Sequence, residues 1–460
     1  MANTPFDRDL LRDASERAAA YMRGAPHRRL APAASDLARL DELDERLPDA
    51  GCPPLEIVAR LDRIGSPATV TTSGGRFFGF VNGGAVPASV AASWMAAAWD
   101  QNASLRVMSP AAAKFEDVAL EWVRDLLGLP AGCGGALVTG ATMANLTCLA
   151  AARHALLAAA DWDVERDGLF GAPALRVVVG EEVHVSLLKA LSLLGLGRER
   201  VHRVAVDGQG RMNADALPRL DARTIVCVQA GNVNSGAFDP ARETCRRAHD
   251  AGAWVHVDGA FGLWAAASPR VRHLAEGFGD ADSWATDAHK WANVGYDCGV
   301  ALVRDAGHLR SAMSASPAAY FTPGELREPS QYTPEMSRRA RGIELWAALR
   351  SLGRAGLADL IDRTCRYAQH FADGLRRAGF EILNDVVVNQ VLVSFGPPAV
   401  TRAAIARIQA DGVCWCGVTE WQGRTAMRIS VSSWATTDDD VEICLEAMIR
   451  AAAAIVDAAR

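Results

Sequence analysis

The segment ATDAHKW (285–291) places a lysine directly behind a histidine and in front of a tryptophan, in a stretch otherwise built for burial. A lysine in a loop is ordinarily just solvated. Burial disfavours the ammonium form, and a neutral amine condenses with an aldehyde to an imine. Lys290 is therefore a candidate for covalent chemistry.

Asp258 in HVDGAFG (256–262) follows an apolar run and falls near the C-terminal end of an expected strand. Ligands of open α/β sheets bind at such ends. Lys290 follows far enough on for one helical crossover to a neighbouring strand. A carboxylate there would keep a pyridine nitrogen protonated, as a pyridoxal phosphate (PLP) site requires. An aspartate capping the next helix explains Asp258 equally well by itself, so the pair matters more than either member. In GGALVTGATMANLTCLAAARHALL (134–157) an apolar strand ends in small residues that open a long helix. Small residues there let backbone N–H groups approach a phosphate, and the helix dipole favours the anion. Plain strand–turn–helix packing reads alike. His184 in EEVHVSLLKALSLLG (181–195) starts a helix after the strand LRVVVG, where a ring could stack on a pyridine or simply cap the helix. QAGNVNSGAFDP (229–240) is a polar turn after a strand and offers Asn232, Asn234 and Ser235 as donors.

Together these elements resemble the group II PLP-dependent amino-acid decarboxylases, the family of aromatic-L-amino-acid and glutamate decarboxylases. The resemblance runs from FFGFVNGG near 77 to the helix after RRARGIELW (338–346), with HVDGAFG and DAHKW its most specific parts. It implies PLP as cofactor, a Schiff base on Lys290, Asp258 on the pyridinium nitrogen, Ala260 against the ring and His184 stacked on its other face. It also implies that Gly140, Ala141, Thr142 and His289 hold the phosphate, and that Asn232 or Asn234 fills a turn where the family usually carries threonines. The implied reaction is decarboxylation of an L-amino acid to its amine and CO2. The implied assembly is a homodimer with shared active sites, and the apolar stretch 86–99 would suit a buried interface helix.

Three departures stand out. The family usually has Asn-Pro before His-Lys, whereas this chain has Asp287-Ala288. A carboxylate at 287 would repel a phosphate unless it points away. After Phe77-Phe78 the run continues Gly79-Phe80-Val81-Asn82-Gly83-Gly84, which suggests a pocket wider or more polar than one for a catechol or indole. The family's mobile loop corresponds to TPGELREPSQYTPEMSRRAR (322–341), whose one tyrosine, Tyr332, becomes the expected proton donor, with Arg341 near the loop's end.

The elements that must position these residues read as α/β. The expected architecture is PLP-dependent transferase fold type I: a mostly parallel, seven-stranded-type sheet in a large domain (71–345), an N-terminal helical arm (1–70), and a connecting helix with a small C-terminal α/β domain (346–460). LRVVVG (175–180), RTIVCVQA (223–230), WVHVDGA (254–260) and CGVALV (298–303) are β-branched and apolar over strand length, with helical stretches between most of them. Residues 306–345 read as loop, and 339–377 as a long helix.

The chain has 460 residues, half of them apolar, and a net charge of −6. That balance fits a globular enzyme and gives no sign of a nucleic-acid surface. No apolar run is long enough to span a bilayer, and the first residues lack a signal peptide's apolar centre, so a cytoplasmic location is expected. No histidine or cysteine cluster completes a metal site around Cys414 and Cys416, which read as buried thiols. An aminotransferase, a C–S lyase, an aldehyde-lyase and a PLP-binding protein without turnover stay open. The stretch 306–341 has no cysteine to act as a desulfurase nucleophile.

Overall fold

The computed structural model describes residues 8–314 and 326–459. Seven strands build the main sheet: β1 (Gly134–Val138), β2 (Arg176–Gly180), β3 (His202–Val204), β4 (Thr224–Gln229), β5 (Trp254–Asp258), β6 (Ser283–Asp287) and β7 (Gly299–Val303), in the order β1-β7-β6-β5-β4-β2-β3. Only β7 runs against the others: it is antiparallel to β1 and β6, while β2 to β6 pair in parallel. The C-terminal ends of β1, β2, β4, β5 and β6 therefore share one edge, where α/β folds bind ligands. This is fold type I α/β architecture with a mostly parallel sheet. β5 and β6 are buried along their whole length and β4 up to Gln229, which explains their near-continuous Val, Ile and Trp runs. The helix Ala141–Ala158 is rich in alanine and buried on most sides. Its small side chains let it lie close against β5, β6 and β7.

SWATD (283–287) and His202–Val204 form strands that the sequence pattern did not mark. The crossover from β5 to β6 is not an α-helix. It consists of 3-10 turns at Gly262–Ala267, Arg272–Ala275 and Phe278–Asp280. Within the expected loop 306–345, Ala306–Met313 is helical, started by the Asp305 carboxylate accepting the Gly307 N–H at 2.7 Å. The long helix Arg341–Arg377 is broken at Gly353, whose φ of +62° lies in the region glycine tolerates.

A second sheet is antiparallel: β8 (Glu381–Ile382), β9 (Gln390–Ser394), β10 (Gly417–Trp421) and β11 (Arg424–Ser430), in the order β10-β11-β9-β8. The helices Pro398–Asp411 and Asp438–Ala458 pack against each other, and apolar residues of both join those of β9 and β11 in one core. That core takes in Cys414 and Cys416, both fully buried. The N-terminal helices Arg8–Gly24, Ala34–Ala38 and Pro54–Ala68 bury almost nothing, Ile64 being their one buried side chain. No helix among the described residues is long and apolar enough to cross a membrane.

Candidate active site

The shared strand edge collects the sequence-derived residues. Asp258 ends β5, Asp287 ends β6 with Lys290 in the turn behind it, Gly140 and Ala141 follow β1, and His184 follows β2. Ala260 links two of these strand ends: its N–H donates to Asp258 Oδ1 at 3.3 Å and its carbonyl accepts the Asp287 N–H at 2.8 Å.

The backbone of Lys290 is clamped. Asn293 donates its amide to the carbonyls of Trp291 (2.8 Å) and Ser432 (2.9 Å), and accepts the Trp434 N–H. The segment 77–84 packs on the same turn so closely that a Cβ on Gly83 would lie 1.7 Å from the Lys290 carbonyl oxygen. Gly84 has φ +74°, and Asn82 Oδ1 accepts the Tyr296 hydroxyl at 2.6 Å. Backbone contact, a positive φ and a tyrosine partner account for these three residues, so they carry no information on pocket width. Lys290 Nζ, expected in apolar surroundings, meets Asp287 Oδ2 at 3.1 Å.

Asp258 is 5% exposed. A chain of hydrogen bonds reaches it, and the carboxylate, which can only accept, fixes the direction: its Oδ2 takes the Asn145 amide N–H at 3.2 Å, so Asn145 Oδ1 accepts from His256 Nε2 at 2.8 Å. With the proton on Nε2, the neutral His256 ring accepts the Ser283 hydroxyl on Nδ1 at 2.9 Å. The Trp254 indole donates to the same Ser283 Oγ at 3.0 Å. Burial pushes His256 down from its ordinary 6.5 to about 4, so the folded chain holds the ring neutral. The unfolded chain takes up a proton as pH falls through 6.5. Stability present above that value is lost as pH falls towards 4, on the order of 3 kcal/mol from this ring. The apparent melting temperature should fall across that window, and less steeply in His256→Asn. Parallel profiles for the two proteins would exclude this ring as the cause.

Of the two roles the sequence offered His184, the structure shows the cap. It caps the helix Val185–Leu193, Nδ1 accepting the Ser186 N–H at 3.3 Å, which leaves the proton on Nε2. Nε2 has no hydrogen-bond partner among the described residues. Burial lowers the ring's proton affinity, partly offset by Asp258, with Lys290, Arg428 and Asp287 the other charges acting on it. His289 accepts the Cys298 N–H on Nδ1 at 3.1 Å and meets the Tyr296 ring at a 33° tilt, centroids 4.3 Å apart; burial lowers its proton affinity.

At the start of the helix Ala141–Ala158, Gly140 faces Gly299 so closely that a Cβ on Gly299 would sit 2.5 Å from the Gly140 backbone. Thr142 lies in the helix's first turn, half-buried. Asp287 does not point away from this helix start. Its Oδ1 accepts the Ala141 N–H at 2.6 Å.

The turn 229–240 and the loop tyrosine are placed as follows. Asn232 turns its side-chain oxygen into its own loop, Oδ1 accepting the N–H groups of Asn234 (2.8 Å) and Ser235 (3.2 Å). Asn234 Oδ1 accepts from Thr419 and Arg428. Tyr332 is buried at 8% exposure in the core cluster of Ala136, Val303 and Leu309, with the Arg327 guanidinium 4.7 Å over its ring. Arg327 binds Glu116 and the Gly135 carbonyl, towards the opposite end of β1 from Gly140. The buried Glu116 also takes Arg338, so this part of the expected mobile loop is pinned against the core. Arg341 pairs with Asp297 at 2.8 Å. Residues 322–325 of that loop lie outside the described residues.

Sequence reasoning missed Asn145, His256, Asn293, Tyr296 and Arg428. For His256 a signal was present: strand alternation puts it on the same face as Asp258.

Comparison with known proteins bears on the family and the fold. Aromatic-L-amino-acid decarboxylase of Bacillus atrophaeus is 25% identical over 436 residues, 90% of this chain and 88% of that protein. Acidic amino acid decarboxylase GADL1 of Bos taurus is 28% identical over 374 residues, 78% and 71% of the two chains. The crystal structure of Oryza sativa TDC with PLP and tryptamine matches the fold with a TM-score of 0.90 at 23% identity, over 98% of this chain and 99% of that one. The family model described as the pyridoxal-dependent decarboxylase conserved domain matches residues 37–396, and the chain belongs to that family of PLP-dependent carboxy-lyases.

Proposed function

We propose that this chain decarboxylates an L-amino acid to the corresponding amine and CO2, with PLP carried covalently on Lys290. The residues fit that group: an amine, a buried carboxylate with a donor on each oxygen, an unpartnered His184 Nε2–H and a glycine-lined helix start stand on one strand edge. Asp258 would hold the proton on the pyridine nitrogen, and Ala260 and His184 would border the ring. The first turn of the helix Ala141–Ala158, with Gly140, Ala141, Thr142 and His289, would hold the phosphate. When bound, the cofactor supplies an electron sink for the bond broken at the substrate's α-carbon.

The observation that carries the amino-acid reading is Arg428 on β11. Its guanidinium has no carboxylate partner among the described residues and donates only to Asn234 Oδ1, at 3.3 Å. It is among the charges acting on His184. Burial alone draws it down to about 10. Arg428 is half-buried, and a partly desolvated cation without an ionic partner gains when an anion reaches it; a substrate carboxylate is that anion. Arg428→Leu should raise KM roughly 100-fold with a smaller change in kcat. An unchanged KM would remove Arg428 from the site.

The direct test is CO2 and amine release from a panel of aromatic, acidic and basic L-amino acids. Equal yields of both from one class are expected. A keto acid without CO2 would replace decarboxylation by amino-group transfer. The proposed setting is the cytoplasm, and the proposed assembly a homodimer with shared active sites. Supporting the dimer, the weakly buried N-terminal helices and the helix Pro87–Trp99 expose Ile57, Leu61, Trp94, Met95 and Trp99. Sedimentation should give twice the chain mass, and a fully active monomer would refute it.

A further inference from the structure

Asp287 ends β6 with its side chain only 3% exposed, and it is committed at both oxygens. Oδ1 accepts the Ala141 N–H at 2.6 Å, at the N-terminus of the helix Ala141–Ala158. Oδ2 lies 3.1 Å from Lys290 Nζ. His289 Nε2, which carries that ring's proton, stands 3.6 Å from Oδ1. Gly140 lines the same spot: a Cβ there would come within 3.4 Å of Asp287 Oδ1 and 3.2 Å of His289 Cε1. The first-turn amides of a helix are a seat for an anion. In this chain the seat that a phosphate would take already holds an anion of its own.

We propose that the Asp287 carboxylate is a resident anion of the cofactor seat, bridging the Ala141 N–H and Lys290, and that PLP loads by displacing it. The inference rests on the reading of this edge as a PLP site. A phosphate at this helix start would compete with the carboxylate for the Ala141 N–H and repel its charge at close range, which drives the carboxylate off Ala141. Because the other oxygen holds Lys290, the same movement uncouples the amine that is to react. Asp287 thereby becomes a positioning residue that weakens cofactor affinity and ties release of the lysine to arrival of the phosphate. Among the side chains around it, His184, His289 and Lys290 carry protons that can face it, and the Tyr296 ring packs at a tilt against His289.

The test is uptake of PLP and of unphosphorylated pyridoxal by the full chain, followed by tryptophan fluorescence and by absorbance of the bound cofactor, without turnover. Asp287→Asn keeps the size and removes the charge. It should bind PLP at least about tenfold more tightly, while the affinity for pyridoxal changes several-fold less. Inorganic phosphate should compete with PLP more effectively in the variant than in the wild type. Asp287→Ala, compared at matched melting temperature, should show the same ordering of the two aldehydes. Unchanged or weaker PLP binding in both variants overturns the proposal. Equal tightening for PLP and pyridoxal also overturns it, because Asp287 would then act on Lys290 alone. A wild-type chain that takes up neither aldehyde overturns the PLP reading itself and this inference with it, whereas PLP uptake unaffected by either variant leaves the cofactor reading standing.

Discussion

Lys290→Ala should leave a folded chain that still associates with PLP but forms amine roughly 10⁴-fold more slowly or worse. The sequence makes this test unusually clean, because it contains only three lysines: Lys114, Lys189 and Lys290. Lys114 and Lys189 sit exposed on helices. Lys290 alone is half-buried at the strand edge, its Nζ held by Asp287 and its backbone fixed by Asn293 and Gly83. Treating the wild-type chain with PLP and borohydride should therefore attach the cofactor to a single peptide, the one containing Lys290. The variant should show no labelled peptide and no melting-temperature loss beyond about that of a surface substitution. Label on Lys114 or Lys189, or turnover persisting in the variant within tenfold, would remove Lys290 from the chemistry. Loss of labelling with intact folding separates a chemical role from a structural one, because the clamp on this turn runs through backbone carbonyls that alanine retains.

The residues legible in the sequence share one property: each stands directly after a strand, where a local pattern suffices. Asp258, His184, Gly140 and Ala141 were readable because an apolar run followed by small or polar residues marks a strand end, and strand ends converge in a parallel sheet; Lys290 was readable from its place between His289 and Trp291, although the strand before it was not marked. The rest depends on contacts between distant segments. Asn145 is an ordinary position on an alanine-rich helix until β5 brings His256 and Asp258 beneath it. Arg428 belongs to a different sheet and looks like a surface arginine among many. Tyr332 was read incompletely for the opposite reason. Its loop setting was visible, but not that Glu116, far earlier in the chain, would bury its charge between Arg327 and Arg338 and drag the loop onto the core. The glycines at 83 and 84 were read as space in a pocket, whereas one is a backbone contact and the other a conformation. Both readings treat a residue type as a statement about function when packing had already used it.

Asp258→Asn should lower kcat on the order of 10³-fold while leaving PLP bound. The carboxylate's task is to hold a proton on the pyridine nitrogen, and an amide of the same shape has no charge with which to do so. The surrounding chain sharpens the expectation. From Trp254 through Ser283 and His256 to Asn145, every bond donates towards Asp258, and the Ala260 N–H donates to its other oxygen. Both oxygens are thus held as acceptors. Asn145→Leu removes one of these donors and keeps the charge, so its cost should be smaller, roughly tenfold in kcat. His256→Asn, one bond further back, should cost less again. The bound cofactor's absorbance supplies a second readout: its pH profile should move in Asp258→Asn, move less in Asn145→Leu, and stay put in Trp254→Phe, which acts only through Ser283. The order of the four is the substance of the prediction. If Asn145→Leu fell as far as Asp258→Asn, the amide itself would have to touch the ring. If Asp258→Asn retained wild-type kcat, the proton on the ring nitrogen would have to be held by another group.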